Sequence, residues 1–276
     1  METLYISDVD GTLTRQTASP TERTRQIIRG LVESGTSFTI ATGRSLGGAI
    51  LIKEQLGISL PVISFNGSLV FDTKENLPLN IIPIEKETAE KLFDLFEDAA
   101  LPFRYCIYNH KLGQVISYRE EKSQFPISET INPKTGLTYE KVVVGKNIRQ
   151  HHTDGDVLYV GYSCEKEKLL RLGENLDNLK DISYSIHSDP YQDDYWYMDI
   201  YSAKSGKNVG AQFLKKHIGA DELVTFGDNF NDYCLLKNAD RSYAVPEADA
   251  TLKEIATGIL QCDNDCVANF ILNDKK

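Results

Sequence analysis

The chain has 276 residues, 41% of them hydrophobic, which is enough to build the core of one large domain or of two smaller ones. Forty acidic and thirty basic side chains give a net charge of −10, which argues against nucleic acid or an anionic membrane as the main partner. No stretch approaches the roughly 20 apolar residues that cross a bilayer, and the first ten residues lack the basic flank of a signal peptide, so we expect a soluble, cytoplasmic protein.

The five cysteines are scattered along the chain, and their number is odd. None stands in a CxxC pair, the spacing that is typical of zinc and redox sites. We therefore expect reduced, mostly buried thiols and no redox chemistry at Cys106, Cys164, Cys234, Cys262 and Cys266.

The first third of the chain alternates short apolar runs with amphipathic stretches. The pattern predicts strands over 4–9, 37–41 and 62–65 and helices over 21–34 and 46–56. Such alternation favours a parallel α/β sheet, in which ligands bind at the carboxyl ends of the strands. Asp8, Thr42 and Asn66 would lie at that edge.

The pattern changes near residue 83. Helices are predicted over 87–99 and 165–176, with strands over 104–108, 114–118, 139–144, 157–163, 182–187 and 196–201. The polar stretch 147–156 is predicted to be a solvated loop, and His151 and His152 within it are expected to be solvated as well.

The α/β rhythm then resumes near the C-terminus. It predicts a helix over 209–217, strands over 223–226 and 242–245, and a short helix between those strands. The predicted fold class is therefore α/β, a Rossmann-like parallel sheet core over 1–82 and 199–276. A separate α+β domain over 83–198 is inserted into this core.

Asp8 and Asp10 flank one residue at the end of the first strand, in the string SDVDGTLT. A carboxylate nucleophile can split phosphate ester hydrolysis into two transfers. A second carboxylate two residues on can protonate the leaving oxygen and then activate water. Gly11 allows the tight turn of a phosphate cradle. The alternative is an Asp-rich turn that only reverses the chain.

The string GDNFND carries Asp228 and Asp232 at the end of another predicted buried strand. Two more acids beside an acidic first motif would repel one another. Mg²⁺ would relieve that repulsion, since it takes hard oxygen ligands and retains waters and substrate phosphate. A capped turn could produce the same string but would not explain why four acids converge.

SDVDGTLT and GDNFND resemble the first and fourth motifs of the phosphatases of the haloacid dehalogenase superfamily. The resemblance implies that Asp8 is the nucleophile and Asp10 the acid and base. It also implies that Asp8, the main-chain carbonyl of Asp10 and Asp228 bind Mg²⁺. Asp232 would bind the metal directly or orient its water shell.

The string IATGRS resembles the second motif, in which the Thr42 hydroxyl, with Gly43 beside it, binds the transferring phosphoryl group. The helix that begins near Ser45 would add free N–H groups. The family also places a lysine at the start of the helix before the fourth motif. Lys207 fits this position, although Asn208 replaces the usual glycine, and Lys204 is its rival.

Further residues are expected to support the site or to approach the substrate. They share positions within or beside the matched motifs. These residues are Gly11, Arg44, Asn66, Gly67 and Asn231.

The insertion between the second and third motifs is typical of the branch called Cof-type or IIB, whose α+β cap selects mostly sugar phosphates. The resemblance thus implies a Mg²⁺-dependent phosphatase of a small phosphorylated metabolite, a sugar phosphate first, with no obligate protein partner. Two alternatives stay open, a phosphomutase of the same superfamily and a slow phospho-aspartate sensing module. Asp10 argues against the second, since a sensor needs no acid or base at that spacing.

Overall fold

The computed structural model describes residues 2–15, 17–123, 129–131, 136, 138–188, 196–261 and 264–275. The chain divides into two compact units. Unit 1 is Met1–Asn80 with Gly206–Lys276, and unit 2 is Ile81–Ser205. The prediction for the Cys262 thiol lies outside the described residues.

The described residues form fifteen strands. They are β1 (Thr3–Ser7), β2 (Ser37–Ile40), β3 (Val62–Ser64), β4 (Leu69–Asp72), β5 (Leu77–Ile81), β6 (Arg104–Asn109), β7 (Gln114–Glu120), β8 (Thr130–Ile131), β9 (Thr138–Gly145), β10 (Asp156–Cys164), β11 (Ile182–Ser188), β12 (Trp196–Ser202), β13 (Glu222–Gly227), β14 (Arg241–Ala244) and β15 (Gly258–Ile259).

The described residues also form eight α-helices. They are α1 (Glu22–Glu33), α2 (Leu46–Leu56), α3 (Lys86–Asp98), α4 (Lys166–Leu176), α5 (Lys207–Ile218), α6 (Tyr233–Lys237), α7 (Ala250–Ile255) and α8 (Cys266–Asp274). Short 3₁₀ helices lie at Phe65–Gly67, Ile148–Asp154 and Phe230–Asp232.

The main sheet of unit 1 is parallel throughout, in the order β15, β14, β13, β1, β2. Leu4, Tyr5 and Ile6 of β1 are almost fully buried, as expected of a strand covered on both faces. A single bridge from Ala41 to Ile63 sets β3 beside the end of β2. The carboxyl ends of β13, β1, β2 and β3 therefore lie side by side in that order.

The helices of unit 1 begin and end where local chemistry favours it. The Thr21 side chain caps α1 by accepting from the backbone N–H of Thr24, and Ser45 caps α2 in the same way through Gly48. Helix α2 ends at Gly57, whose φ of 65° suits glycine. Helix α1 packs against α2 and α8, so the elements of the two chain segments share one core.

Unit 2 is built on one seven-stranded sheet, in the order β11, β12, β10, β6, β7, β9, β8. Neighbouring strands are antiparallel except β7 and β9, which are parallel. Its apolar core joins helices α3 and α4 to the sheet, and Phe93 of α3 packs its ring on Phe103 and Tyr105. A parallel-sheet core with a separate sheet unit confirms the predicted fold class.

The ends of the two units and the stretch before unit 2 differ in detail from the sequence-based outline. The predicted domain boundary at 198 falls inside β12, which runs unbroken from Trp196 to Ser202, whereas unit 2 ends at Ser205. The stretch 69–81 was given no structure, yet it forms β4 and β5, which join β3 in a small sheet. Strand β5 is partly exposed, so its sequence lacks a clear apolar run.

The prediction of a solvated loop over 147–156 is wrong, because residues 148–154 form a 3₁₀ helix. His152 is 9% exposed, and its Nε2 lies 2.6 Å from Oε1 of Glu90 on α3. Its ring also packs edge-on against Phe93. His151 is not simply solvated either, since it stacks on Tyr118. Partners about sixty residues away along the chain therefore bury His152 within an otherwise polar stretch.

Across the part of the chain that the structure describes, no helix has the length and apolarity needed to span a membrane.

Candidate active site

Asp8 directly follows the buried strand β1 and is itself buried, with 4% of its surface exposed. Its backbone N–H donates to the carbonyl of Phe226 on β13 at 3.0 Å, and the Ser7 hydroxyl donates to the Asp8 carbonyl at 2.6 Å. The end of the central strand therefore holds the Asp8 main chain in place.

Three carboxylates converge at this edge of the sheet. Asp8, Asp228 and Asp232 each offer an oxygen, and these oxygens lie within 4.8 Å of one another. Lys207, at the first turn of α5, donates from Nζ to Oδ1 of Asp8 at 2.5 Å and to Oδ1 of Asp232 at 2.7 Å. One buried ammonium group thus bonds two of the three acids.

The pKa values of these groups show that negative charge is in excess. Burial, and then repulsion from Asp232, raise the pKa of Asp8 well above its usual range, while Lys207 only partly opposes the rise. The same two causes raise the pKa of Asp228 to about 6. Burial alone would lower the pKa of Lys207, but Asp232 and Asp8 together hold it above its ordinary value.

This donor set fits a hard divalent cation, because it consists of carboxylate oxygens with too little positive charge around them. The acids are not equally available to such an ion. Oδ2 of Asp232 already accepts from the backbone N–H groups of Asp228 (3.1 Å) and Asn229 (3.2 Å), and its Oδ1 accepts from Lys207. Asp8 and Asp228 have fewer such bonds.

Asp228 is oriented by the loop that follows β1. The Thr12 hydroxyl donates to its Oδ1 at 2.7 Å, a contact that the sequence did not suggest, although Thr12 stands in the DGT string. Gly11 has a φ of 84°, and a Cβ there would lie 2.2 Å from Oδ2 of Asp228. Only glycine allows this close approach of the backbone.

Asp10 is held apart from the three acids by a different cation. Nε and Nη2 of Arg44 donate to its two carboxylate oxygens at 2.8 and 2.6 Å, which is a two-pronged ion pair. Nη2 of Arg44 also donates to the carbonyl of Ala18 at 3.0 Å. Sequence placed Arg44 near the site but did not indicate this pairing.

Thr42 and Gly43 follow β2, the neighbour of β1. Thr42 is 1% exposed, and its Oγ1 accepts from the backbone N–H of Arg44 at 3.1 Å. A Cβ on Gly43 would come within 3.2 Å of the amide of Asn66. The turn at Thr42 and Gly43 therefore packs closely against Asn66.

The loop after β3 packs against the start of α5. Asn66 has φ 50° and ψ 34°, and its backbone N–H donates to the carbonyl of Thr42 at 3.0 Å. A Cβ on Gly67 would lie 2.0 Å from the carbonyl oxygen of Gly206. Asn231 joins this group by donating from Nδ2 to Oδ1 of Asn66 at 3.4 Å.

The structure separates the two lysines that sequence left as rivals. Lys207 is 2% exposed and contacts the acids, whereas the Lys204 side chain is 69% exposed and its Nζ bonds Glu85 at 2.7 Å. The predicted site residues of both chain segments thus lie along one edge of the sheet of unit 1.

Comparisons with known proteins agree with this arrangement. The family model described as haloacid dehalogenase-like hydrolase matches residues 5–271. A candidate phosphatase of Mycoplasma genitalium is 27% identical over 94% of this chain and 93% of its own length. A 5-amino-6-(5-phospho-D-ribitylamino)uracil phosphatase of Bacillus subtilis is 24% identical, over 97% of this chain and 96% of its own length.

Solved structures show the same fold. A haloacid dehalogenase-like hydrolase from Bacteroides thetaiotaomicron superposes with a TM-score of 0.77 at 20% identity, covering 99% of this chain and all of the other. These findings confirm the predicted family and the prediction of an enzyme, a hydrolase whose curated relatives are named as phosphatases. The chain belongs to the haloacid dehalogenase-like hydrolase family.

Proposed function

We propose that this hydrolase is a Mg²⁺-dependent phosphatase that hydrolyses a small phosphorylated metabolite through an aspartyl phosphate on Asp8. One observation carries the proposal. Three carboxylates converge at the carboxyl edge of a parallel sheet, where Lys207 bonds two of them, and burial and repulsion from Asp232 raise the pKa of Asp8. Carboxylates with pKa values raised by burial and by neighbouring acids are concentrated at functional sites.

In the proposed first transfer, a carboxylate oxygen of Asp8 forms a bond to phosphorus while the ester P–O bond breaks. Asp10 gives a proton to the leaving oxygen, so the alcohol departs neutral. Lys207 and the Thr42–Gly43 turn stabilise the charge on the phosphoryl oxygens. For its part, Asp10 has to leave the ion pair with Arg44 before it can deliver that proton.

The proposed second transfer releases the product. Asp10, now ionised, takes a proton from a water molecule whose oxygen bonds to phosphorus, and the bond to Asp8 breaks. Inorganic phosphate leaves, and Asp8 returns to its ionised form.

Asp8, Asp228 and the main-chain carbonyl of Asp10 would hold the Mg²⁺. Asp232, which is bonded to two backbone N–H groups and to Lys207, would orient the water shell of the ion. Bound Mg²⁺ would supply positive charge that offsets both the carboxylates and the phosphoryl oxygens. Deep burial of the acids makes that charge more effective than it would be in water.

We further propose that unit 2 selects the substrate and that the substrate is a sugar phosphate or a similar phosphorylated polyol. The curated name of the Bacillus subtilis relative specifies a phosphate on a ribityl chain, which has this chemistry. Small polar substrates of this kind suit a cap that excludes water while the reaction proceeds.

Metal removal tests the proposal. We expect the purified protein to release inorganic phosphate from p-nitrophenyl phosphate and from some members of a panel of phosphorylated sugars and polyols. Activity should vanish with a chelator, return with Mg²⁺, and fall when excess Ca²⁺ is added, because its larger and looser coordination misplaces Asp8. Full activity of the chelated protein would exclude the metal, and isomerised sugar phosphate without phosphate release would favour a mutase.

A further inference from the structure

Arg119 of unit 2 is a half-buried arginine without an acidic partner. Its Nη1 donates to the main-chain carbonyl of Ser123 at 2.6 Å. Its Nε is buried and has no hydrogen-bond partner within the described part of the chain. Buried donors are nearly always paired, and a buried charge without a partner is costly, so this group needs an explanation. A bound ligand is one.

Other arginines of the chain use one edge of the guanidinium group to hold a carboxylate. Nε and Nη2 of Arg44 donate to the two oxygens of Asp10, and the same two atoms of Arg241 donate to Glu222 at 2.8 and 2.9 Å. This edge presents two parallel N–H groups, a geometry that suits a carboxylate or a phosphate. The bond of Arg119 uses Nη1, so its Nε–Nη2 edge remains for a partner of this kind.

The Arg119 side chain lies on the polar face of the seven-stranded sheet. Ile116 and Tyr118 of β7 belong to the apolar core that includes helices α3 and α4. Successive side chains of a strand point to opposite faces, so Ser117 and Arg119 lie on the face turned away from that core.

The nearest charged neighbour of Arg119 on this face is another cation. Arg104 of β6 lies directly opposite Arg119 in the antiparallel pair of strands, and like charges in that position destabilise a sheet. Arg104 donates to the Tyr159 hydroxyl at 3.1 Å, and this hydroxyl in turn donates to Asp199. Asp199 therefore offsets the charge of Arg104 and leaves that of Arg119 without a counter-charge.

The other neighbours of Arg119 do not supply that counter-charge. Its partner on the second flank of β7 is the apolar Val144 of β9. Glu120 points to the opposite face, where burial and then Glu97 of α3 raise the pKa of its carboxyl group. A chain with a net charge of −10 thus leaves a half-buried cation unpaired among its described residues.

We propose that the Nε–Nη2 edge of Arg119 binds an oxyanion, the carboxylate or phosphate group of a small-molecule ligand. Two oxygens of such a group would accept from the two N–H groups, and its charge would relieve the repulsion between Arg119 and Arg104. This site lies in unit 2 and goes beyond the proposed phosphatase reaction. Its anion can come from a second acidic group of the substrate or from a separate metabolite.

The first experiment observes Arg119 itself by NMR, in the metal-free protein. The side-chain Nε–H resonance of Arg119, assigned by its absence from Arg119→Gln, should shift and saturate as inorganic phosphate or malonate is added. The Nε–H resonance of Arg241 is the internal control, because Glu222 already occupies that edge, and it should not shift. An Arg119 resonance that moves with neither anion would overturn the proposal.

Thermal unfolding separates ligand binding from a structural role. At equal ionic strength, phosphate should raise the Tm of the wild type more than that of Arg119→Gln, because the folded wild type alone carries the site. Arg119→Lys keeps the charge but lacks the two-pronged edge, so it should retain only part of the response. Arg171→Gln, which removes an exposed arginine of α4, is the matched control and should respond as the wild type does.

Without added anion, Arg119→Gln should unfold at the wild-type temperature or above it, since the substitution removes an unpaired cation. A lower Tm in the absence of phosphate, with an unchanged response to phosphate, would show that Arg119 is structural and would contradict the assignment.

A matched pair of esters identifies the source of the anion. Sorbitol 6-phosphate and 6-phosphogluconate differ only in a hydroxymethyl group that the second replaces with a carboxylate. If the substrate supplies the anion, the wild type should prefer 6-phosphogluconate by about 10- to 100-fold in kcat/KM, and Arg119→Gln should lose this preference. An equal ratio in the two proteins, together with the NMR shift, assigns the anion to a separate metabolite.

Anion binding at Arg119 can be tested apart from the proposed phosphatase function. The NMR and unfolding measurements use metal-free protein and need no turnover. A wild type that hydrolyses phosphate esters while its Arg119 resonance ignores both anions removes only the anion site. A wild type that binds the anions but hydrolyses no ester removes only the phosphatase.

Discussion

The two units each bury a charged cluster, and the clusters differ in how their charges are balanced. In unit 2, Asp199 is 6% exposed and accepts from the Tyr159 hydroxyl, while Nε2 of His187 lies 3.0 Å from its Oδ2. Arg104 completes the group, donating to the Tyr159 oxygen at 3.1 Å. In unit 1, by contrast, Asp8 shares Lys207 with Asp232, and Asp228 lies beside them.

The pKa shifts of the two aspartates have opposite signs. Burial acts to raise the pKa of Asp199, but His187, Tyr159 and Arg104 together bring it below its usual range. Among the residues that the structure describes, no comparable set of donors surrounds Asp8, and its pKa rises. The charge of Asp199 is thus offset by its own neighbours in unit 2. The acids of unit 1 keep an excess of negative charge, which fits the proposed cation site.

The largest expected effect separates Asp8 from Asp10. Asp8→Asn should abolish turnover, because an amide cannot attack phosphorus. Asp10→Asn should still be phosphorylated by p-nitrophenyl phosphate, whose leaving group needs little protonation, but should lose the roughly 10²- to 10⁴-fold contribution of a base to the second transfer. Rapid quench and intact-protein mass measurement should find one added phosphoryl group on Asp10→Asn and none on Asp8→Asn.

The same Asp→Asn change tests the balance of the two clusters directly. Asp199→Asn should lower the free energy of unfolding by about 3 kcal/mol, because it leaves Arg104 buried without its carboxylate. Asp8→Asn should leave the stability of the metal-free protein unchanged or raise it, since it removes a repelled charge. Urea denaturation of both variants measures this contrast, and equal destabilisation would show that the clusters do not differ.

The pH dependence of the unfolding free energy provides a second test of the Asp199 cluster. Because the folded pKa of Asp199 is lowered, its contribution is complete above the unfolded pKa of about 3.9 and decreases as the pH falls toward the folded value. The difference in unfolding free energy between wild type and Asp199→Asn should therefore be constant from pH 7 to pH 5 and become smaller below about pH 4.

A further prediction concerns Lys207, the lysine that bonds Asp8 and Asp232. Lys207→Met keeps most of the length of the side chain but leaves Asp8 and Asp232 without this cation, so kcat/KM should fall by about 100-fold. Lys204→Met removes an exposed lysine three residues away, whose partner is Glu85, and should change kcat/KM less than about twofold. Similar losses of kcat/KM in the two variants would contradict the assignment of the phosphate-site lysine to Lys207. Steady-state kinetics with p-nitrophenyl phosphate measures both.

Much of the fold follows from local patterns in the sequence. Helix α2 has the predicted bounds, and most strands of unit 2 extend the predicted ranges by a residue or two, because their apolar alternation is regular. The 3₁₀ helix at Ile148–Asp154 was missed because its burial depends on Glu90 and Phe93 of α3. The local sequence of a polar segment does not indicate that a distant helix packs against it.

In the candidate site, too, the sequence indicated some of the residues but not their partners. Asp8, Asp228 and Lys207 could be named because motif spacing and strand ends bring them to one edge. Their partners could not be derived. Arg44 binds Asp10 through a side-chain geometry that depends on the turn after β2, and the amide of Asn231 meets that of Asn66 across 165 positions of the chain.

The pairing of β1 with β13 has a consequence for how the protein is made. It joins residues 219 positions apart, Thr3 to Glu222, whereas unit 2 is one uninterrupted stretch from Ile81 to Ser205. During synthesis the inserted unit can complete its own sheet while the first strand still lacks a neighbour on one side. The crowded acids therefore meet only after β13, Asp228 and Asp232 have left the ribosome, and the nascent protein carries no assembled cluster of acids before then.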